Sequence, residues 1–247
     1  MHKIIILGAL QGLTEFFPVS SSGHLVIAQH FLDITKDVVF LDLFLHMGTV
    51  LALLTFFRKD ILLALKNPKM IGLIAIATLI TGLIGITFKK NLESLFNSAH
   101  YTAIQLLING VILLAVPLFK DRNREPGTSD SVVIGIAQGI SIIPGISRSG
   151  LTISSLLAMG IKKEEAFRFS FIASIPAIIG AFLLEAKDIA FSSSYNPITL
   201  SAGLAASYLF GMLALFSLGK IIHNKKFHLF GYYCVLLAII LLFFFKI

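Results

Sequence analysis

Long apolar runs alternate with short polar connectors along this chain. Six runs, at residues 38–57, 70–88, 101–119, 166–184, 198–218 and 228–245, match or approach the about 20 residues that a helix needs to cross a bilayer. They predict an all-α integral membrane protein. Two further apolar stretches, 4–32 and 131–161, are cut in the middle by Pro, Gly and Ser: QGLTEFFPVSSSGHL in the first and QGISIIPGISRSGLT in the second. Each half is long enough for a helix of about 20 Å, which reaches the middle of a membrane without crossing it. A re-entrant helix–loop–helix that enters and leaves by one face fits this pattern. A single kinked spanning helix is the alternative.

The two broken stretches match each other. Shifting by 127 residues sets Gly135 on Gly8, Gln138 on Gln11, Gly139 on Gly12, Ser147 on Ser20, Ser149 on Ser22 and Gly150 on Gly23, while Pro144 and Pro18 miss by one position. Each stretch is followed by three spanning runs. The chain therefore reads as one membrane domain of two repeats, 1–125 and 126–247, each a hairpin plus three crossings. A hairpin does not change sides and three crossings do, so the second repeat starts on the opposite face. That is an inverted repeat, an architecture that places its site near the midplane between the halves.

Composition supports the membrane assignment. Hydrophobic residues make up 56% of the 247 residues and charged residues 13%, about half the charged share of a soluble domain; mean hydropathy is +0.91. The net charge of +7 reflects Lys and Arg in the connectors, not a nucleic-acid surface. Most of them, including Arg58, Lys59, Lys120, Arg122, Lys162 and Lys220, fall on one face. The positive-inside rule puts that face in the cytoplasm. Both termini are then expected outside. The apolar start at 4–10 is interrupted by Gln11 and Glu15 and lacks an A-x-A cleavage site, so it is read as structure, not as a signal peptide. The single cysteine, Cys234, excludes an intramolecular disulfide.

An ionisable group deep in a membrane is costly and needs a reason. The candidates are Glu15, His24, Asp42, His46, Arg148 and Arg168. Gln11 and Glu15 share a helix face at a spacing of four. Ser20, Ser21 and Ser22 after Pro18, and Ser147 and Ser149 after Pro144-Gly145, are suited to cap restarting helices. Two helix N-termini aimed at one point make an anion site. Arg148 adds a guanidinium fork suited to phosphate, Gly145 a close backbone approach, and Ser147, Ser149 and Thr152 hydroxyl groups. Arg148 could also simply cancel the charge of Glu15. Asp42 and Arg168, in similar places in the two repeats, are expected to form a pair bracing them, with His46 in the same group.

At these positions the chain resembles the bacterial undecaprenyl-diphosphate phosphatase family of the bacitracin-resistance type. The resemblance rests on Gln11-Gly-Leu-Thr-Glu15 running into Pro18-Val19-Ser20-Ser21-Ser22-Gly23-His24, and on Pro144-Gly145-Ile146-Ser147-Arg148-Ser149-Gly150-Leu151-Thr152. It implies hydrolysis of a polyprenyl diphosphate to the monophosphate, dependence on a divalent cation (Mg²⁺ or Ca²⁺), and chemistry carried by Glu15, Ser21, His24 and Arg148. Gln11, Ser20, Ser22, Gly145, Ser147, Ser149 and Thr152 would line the substrate, and Glu15 would hold the metal. Many members have Glu at the position of Gln11, so this chain has one carboxylate where a two-carboxylate metal site would have two. The implied partners are the lipid substrate and membrane lipid, and a homodimer is allowed. The residues leave the nucleophile open between Ser21 activated by His24, His24 itself, and a water activated by Glu15. A lipid-phosphate flippase remains the alternative function, because it needs the same anion site.

Overall fold

The computed structural model describes residues 1–93, 99–120, 122–143, 145–185 and 195–244. Pro144, around which the second break is predicted, lies outside the described residues, as do parts of the predicted connectors at 89–100 and 185–197. The described chain is helical throughout: α1 (His2–Phe16), α2 (Ser21–Phe31), α3 (Val38–Phe56), α4 (Arg58–Leu65), α5 (Pro68–Glu93), α6 (Ala99–Ala115), α7 (Thr128–Ile140), α8 (Arg148–Ala158), α9 (Lys163–Glu185), α10 (Pro197–His223) and α11 (Leu229–Phe244). One 3₁₀ turn, Val116–Leu118, extends α6.

Among the described residues, five segments are long and apolar enough to cross a membrane: Val38–Phe56, Pro68–Phe88, Tyr101–Leu118, Lys163–Leu183 and Pro197–His223. Their outward side chains are apolar, with Leu79, Leu83, Val111, Leu183 and Leu213 all exposed, as lipid contact requires. The chain is therefore a multi-pass membrane protein. The sixth predicted span is present as α11, apolar but shorter. The connector predicted at 58–69 holds an unforeseen helix, α4. Its first turn mixes Arg58, Lys59 and Asp60, and that charge hides the Ile61–Leu65 apolar run that follows.

Both broken stretches fold as two short helices with a break, at 17–20 and 141–147. Hydrogen bonds tie the two ends of each stretch together. Lys3 Nζ at the start of α1 donates to the Leu32 carbonyl just past α2, at 2.6 Å. In the second stretch the backbone N–H groups of Arg122 and Arg124 donate to the Gly160 carbonyl, and Lys162 N–H donates to the Arg124 carbonyl. Arg124 also grips Asp130 with two guanidinium bonds of 2.6 and 3.0 Å.

Packing is reciprocal. α1 lies along α10, and α7 lies along α5. Small residues let the backbones come close. Gly8 faces the backbone of Gly203 and Gly12 that of Ser207 and Gly211, so α1 and α10 run in the same direction. Likewise Gly135 faces Ala77 and Ile80, and Gly139 faces Ile84, so α7 and α5 are parallel. α6 and α11 cross where Gly110 meets Gly231. The apolar core beneath the breaks includes Phe16, Phe57, Phe169 and Phe171, with Phe16 set edge-on to Phe171 at 5.5 Å.

Candidate active site

The two breaks meet in the interior. A serine caps each restarting helix: Ser20 Oγ accepts from Gly23 N–H and Ser147 Oγ from Gly150 N–H. Each cap satisfies one of the orphan donors of a helix start and leaves the dipole aimed at the junction. Ser20 holds this place at φ 68°, a left-handed conformation that a non-glycine residue adopts at a cost of about 1–3 kcal/mol and that concentrates at functional sites. The Ser149 hydroxyl reaches the Phe17 carbonyl at 3.4 Å, joining the second break to the first.

Glu15, in the last turn of α1, is the centre of the cluster. Arg148, the first residue of α8, donates to Glu15 Oε1. Glu15 Oε2 receives the Ser21 hydroxyl at 2.7 Å and the Gln11 amide at 3.1 Å. His46 Nε2 of α3 stands 3.1 Å from the same oxygen. The Glu15 side chain is 3% exposed, whereas Arg148 and His46 are 22% and 32% exposed. The carboxylate is therefore buried more deeply than the guanidinium and the imidazole beside it, and an anion approaching this recessed cluster meets those more exposed groups first.

His24 is in a neighbouring but separate setting. Its Nδ1 lies 2.7 Å from the Ser20 carbonyl and its Nε2 lies 2.6 Å from the Tyr233 hydroxyl, with the two rings stacked at 5.7 Å. A carbonyl only accepts, so Nδ1 carries the proton. In the neutral ring Nε2 then accepts from Tyr233. No hydrogen bond joins His24 to Ser21; the Ser21 proton points at Glu15 instead.

The remaining predicted residues divide by what they touch. Ser22 pairs with Ser20 at 3.3 Å and Ser149 with Ser147 at 3.1 Å, both beside the helix starts. Thr152 donates its hydroxyl to the Arg148 carbonyl and pairs with the Ser170 hydroxyl. Gly145 adopts φ 93°, and a Cβ there would lie 2.7 Å from the Thr102 carbonyl. Its lack of a side chain serves the turn and the contact with α6.

Two sequence expectations are corrected. Asp42 and Arg168 do not pair: Asp42 accepts from Gln29 at 2.6 Å, while Arg168 binds Asp60 at 3.0 Å and Glu165 at 3.2 Å near the rim of the fold. Similar places in two repeats need not be neighbours: Asp42 finds its partner within its own repeat, and Arg168 reaches the first repeat at Asp60 instead. His46 stays close enough to Asp42 to act on it electrostatically, but its ring nitrogen meets Glu15, because packing of α3 on α1 brings it there. Tyr233 was not foreseen either. It lies in the last apolar run, with no local mark of a role.

A cation site is tested by its donors. Among the described residues, no three His, Cys, Asp or Glu side chains gather as metal ligands. The amide oxygen of fully buried Gln11, however, has no hydrogen-bond partner. One carboxylate and one spare amide oxygen on a single helix face fit a hard cation that completes its shell with water and substrate phosphates.

Comparison with known proteins bears on the whole chain. The family described as "Bacitracin resistance protein BacA" matches residues 4–240. A protein of Carboxydothermus hydrogenoformans named undecaprenyl-diphosphatase is 40% identical over 97% of this chain and 95% of its own length. Proteins of the same name from Methanobrevibacter smithii and Alkaliphilus metalliredigens are 37% and 38% identical, covering 96% and 94% of this chain and 95% and 94% of their own.

Proposed function

We infer the function from one premise: the chain belongs to the BacA family of bacitracin resistance proteins. It is an undecaprenyl-diphosphatase, a membrane hydrolase that releases the terminal phosphate of the polyprenyl diphosphate. The product monophosphate returns to cell-wall synthesis, and bacitracin resistance follows from the same activity. The flippase alternative draws no support from relatives named for hydrolysis.

The observation that carries the site is the Glu15–Arg148 pair, which joins the two breaks at the floor of the recess. Both stretches are re-entrant hairpins, a reading supported by their closed bases. The halves form an inverted repeat, a reading supported by the reciprocal parallel packing of α1 on α10 and α7 on α5. The recess then lies near the midplane and opens to the outer face of the cytoplasmic membrane, with both termini outside.

Diphosphate entering the recess takes Arg148 from Glu15. Arg148 and the starts of α2 and α8 hold the phosphate oxygens and stabilise charge in the transition state. Glu15, freed of its cation, becomes the base for the Ser21 hydroxyl that already points at it. Ser21 Oγ attacks the terminal phosphorus, its proton passes to Glu15, and the bond to the bridging oxygen breaks with the lipid monophosphate leaving. Water then attacks the phosphoserine, returning the proton and releasing phosphate. Direct attack by water, with Glu15 as base and Ser21 as donor to the phosphate, uses the same groups. His24, with Nε2 behind the Tyr233 hydroxyl, is the second group placed to exchange a proton. Mg²⁺ or Ca²⁺, held by Glu15 and the Gln11 amide oxygen, would offset the charge of the diphosphate.

Phosphate release from undecaprenyl diphosphate by the purified protein, with and without EDTA, tests this reading. Wild type is expected to release phosphate in a metal-dependent way, and Arg148→Ala to do so about 10²–10³-fold more slowly. Folded wild type that releases none with Mg²⁺ or Ca²⁺ present would overturn it.

A further inference from the structure

Asn109 is a fully buried polar residue in the middle of the apolar helix α6. An amide there is costly unless both its ends are paired. Both are, and each partner lies on a different break. Asn109 Nδ2 donates to the Pro18 carbonyl at 2.9 Å, in the first break. Asn109 Oδ1 accepts the Ser147 N–H at 3.4 Å, in the second. The orientation of the amide is fixed by its partners, because a carbonyl only accepts and a backbone N–H only donates. Nδ2 also faces Cys234 Sγ of α11 at 3.4 Å, and that sulfur approaches the same Pro18 carbonyl at 3.6 Å. The contact is tight: a Cβ on Gly150 would lie 3.0 Å from Asn109 Oδ1 and 3.1 Å from Pro18 Cβ.

The two clamped residues flank the chemistry. Pro18 lies between Glu15 and Ser21, and Ser147 directly precedes Arg148. The two breaks come from distant parts of the sequence, and among the described residues the direct hydrogen bonds between them and their flanks are the Arg148–Glu15 pair and the long Ser149–Phe17 contact. The diphosphate must replace the first of these to bind. Asn109 remains when it is replaced.

We propose that Asn109 is a positioning residue for the phosphatase reaction: one amide, bonded to both breaks at once, holds Arg148 in register with Glu15 and Ser21 when substrate separates the pair. This rests on the proposed function, and it names a residue that touches no reacting atom. Asparagine suits the task because it carries a donor and an acceptor on one short planar group. Aspartate of the same shape keeps the acceptor for Ser147 and turns a carboxylate oxygen on the Pro18 carbonyl. Leucine of similar volume loses both bonds.

The test uses the full-length protein in detergent, with Asn109→Asp, Asn109→Leu and wild type compared by phosphate release and by hydrogen–deuterium exchange of backbone amides. For Asn109→Asp, kcat is expected to fall about 100-fold, as a misplacement of about 1 Å can produce. KM should stay near wild type, because Arg148 and both helix starts remain. Exchange should quicken in peptides covering 17–23 and 146–151 and stay unchanged in α5 and α10. Adding Asn109→Asp to Arg148→Ala should cost almost nothing further, since the clamp acts through Arg148. Asn109→Leu, if folded, should show the same pattern more strongly. Folded Asn109→Asp with kcat near wild type overturns the proposal. So does a loss of activity with exchange unchanged in both breaks, or a loss that multiplies with Arg148→Ala. Exchange reports on the clamp whether or not undecaprenyl diphosphate is the substrate, so failure of the functional reading shows separately, as inactive wild type.

Discussion

Arg148 and Glu15 are 133 residues apart in sequence and hydrogen-bonded in the fold, across the meeting point of the two broken stretches. His46 Nε2 stands 3.1 Å from the other oxygen of the same carboxylate. The resting pair answers the cost of burying each group alone and sets the terms of catalysis: whatever binds Arg148 frees Glu15.

Arg148→Ala is therefore expected to do two things. Phosphate release should drop by about 10²–10³-fold, the usual loss for one oxyanion-stabilising donor. Stability should fall by about 3–5 kcal/mol, because a buried carboxylate loses its cation. Arg148→Ala combined with Glu15→Gln should recover much of the stability and none of the activity. Thermal unfolding in detergent beside a phosphate assay separates the two effects.

Ser21→Ala removes the hydroxyl that donates to Glu15 at 2.7 Å. If Ser21 is the nucleophile, kcat should fall by about 10³-fold or more, with residual rate from the anion site alone. KM should change little. Trapping with labelled substrate and acid quench should find phosphoserine in wild type and none in the variant. Near-normal turnover by Ser21→Ala would leave the water mechanism standing.

Much of this site was legible in the chain. Pro and Gly in the middle of apolar stretches signal breaks, and serines after a break signal caps. Both signals are local, and the structure places Ser20 and Ser147 as the caps. The likeness of the two stretches also pointed to Glu15 and Arg148 as one cluster. What was not legible depends on which helices touch. His46 sits one turn from Asp42, and only the packing of α3 on α1 turns it to Glu15. Asn109 and Tyr233 are polar residues within long apolar runs, where sequence alone cannot tell a lipid-facing residue from a buried one. The Asp42–Arg168 expectation failed for the same reason. Matching positions in two repeats constrain symmetry, and contact depends on which surfaces face each other.

Tyr233→Phe tests whether the state of His24 matters. The substitution keeps the stacked ring and removes the hydroxyl at Nε2. A hydrogen bond worth about 1 kcal/mol corresponds to a loss of about fivefold, and that is the expected drop in kcat, with unfolding temperature nearly unchanged. An unaltered kcat and pH profile would show that the Tyr233 bond plays no part in the reaction.

Gln11 offers a test of the cation. With its amide oxygen as one ligand, Gln11→Leu should raise the Mg²⁺ or Ca²⁺ concentration for half-maximal activity by about tenfold, the scale of losing one oriented partner of a metal site. Gln11→Glu should lower it, because a second carboxylate strengthens a hard-cation site. Equal cation dependence across all three proteins would remove Gln11 from the metal site.

The last prediction concerns the scaffold. At α1–α10, a Cβ on Gly8 would run into the Gly203 carbonyl, and a Cβ on Gly203 would lie 2.7 Å from Ile4 Cγ2. At α5–α7, a Cβ on Gly135 would lie 2.7 Å from Ile80 Cβ and 2.9 Å from the Ala77 carbonyl. In both pairs the obstacle includes backbone, which cannot swing aside as a side-chain tip can. Gly8→Ala and Gly135→Ala should each destabilise by about 1–3 kcal/mol through overpacking. Gly72→Ala and Gly180→Ala, where a Cβ meets nothing within 4 Å, should be neutral or slightly stabilising, since alanine loses less entropy in a helix. The catalytic consequence should differ between the tight pairs. Spreading α1 from α10 moves Glu15, which α1 carries, whereas spreading α7 from α5 moves the helix before the second break. Gly8→Ala should therefore lower kcat directly, and Gly135→Ala should act through Arg148. Combining each with Arg148→Ala distinguishes them: the Gly8→Ala loss should persist in that background and the Gly135→Ala loss should largely vanish.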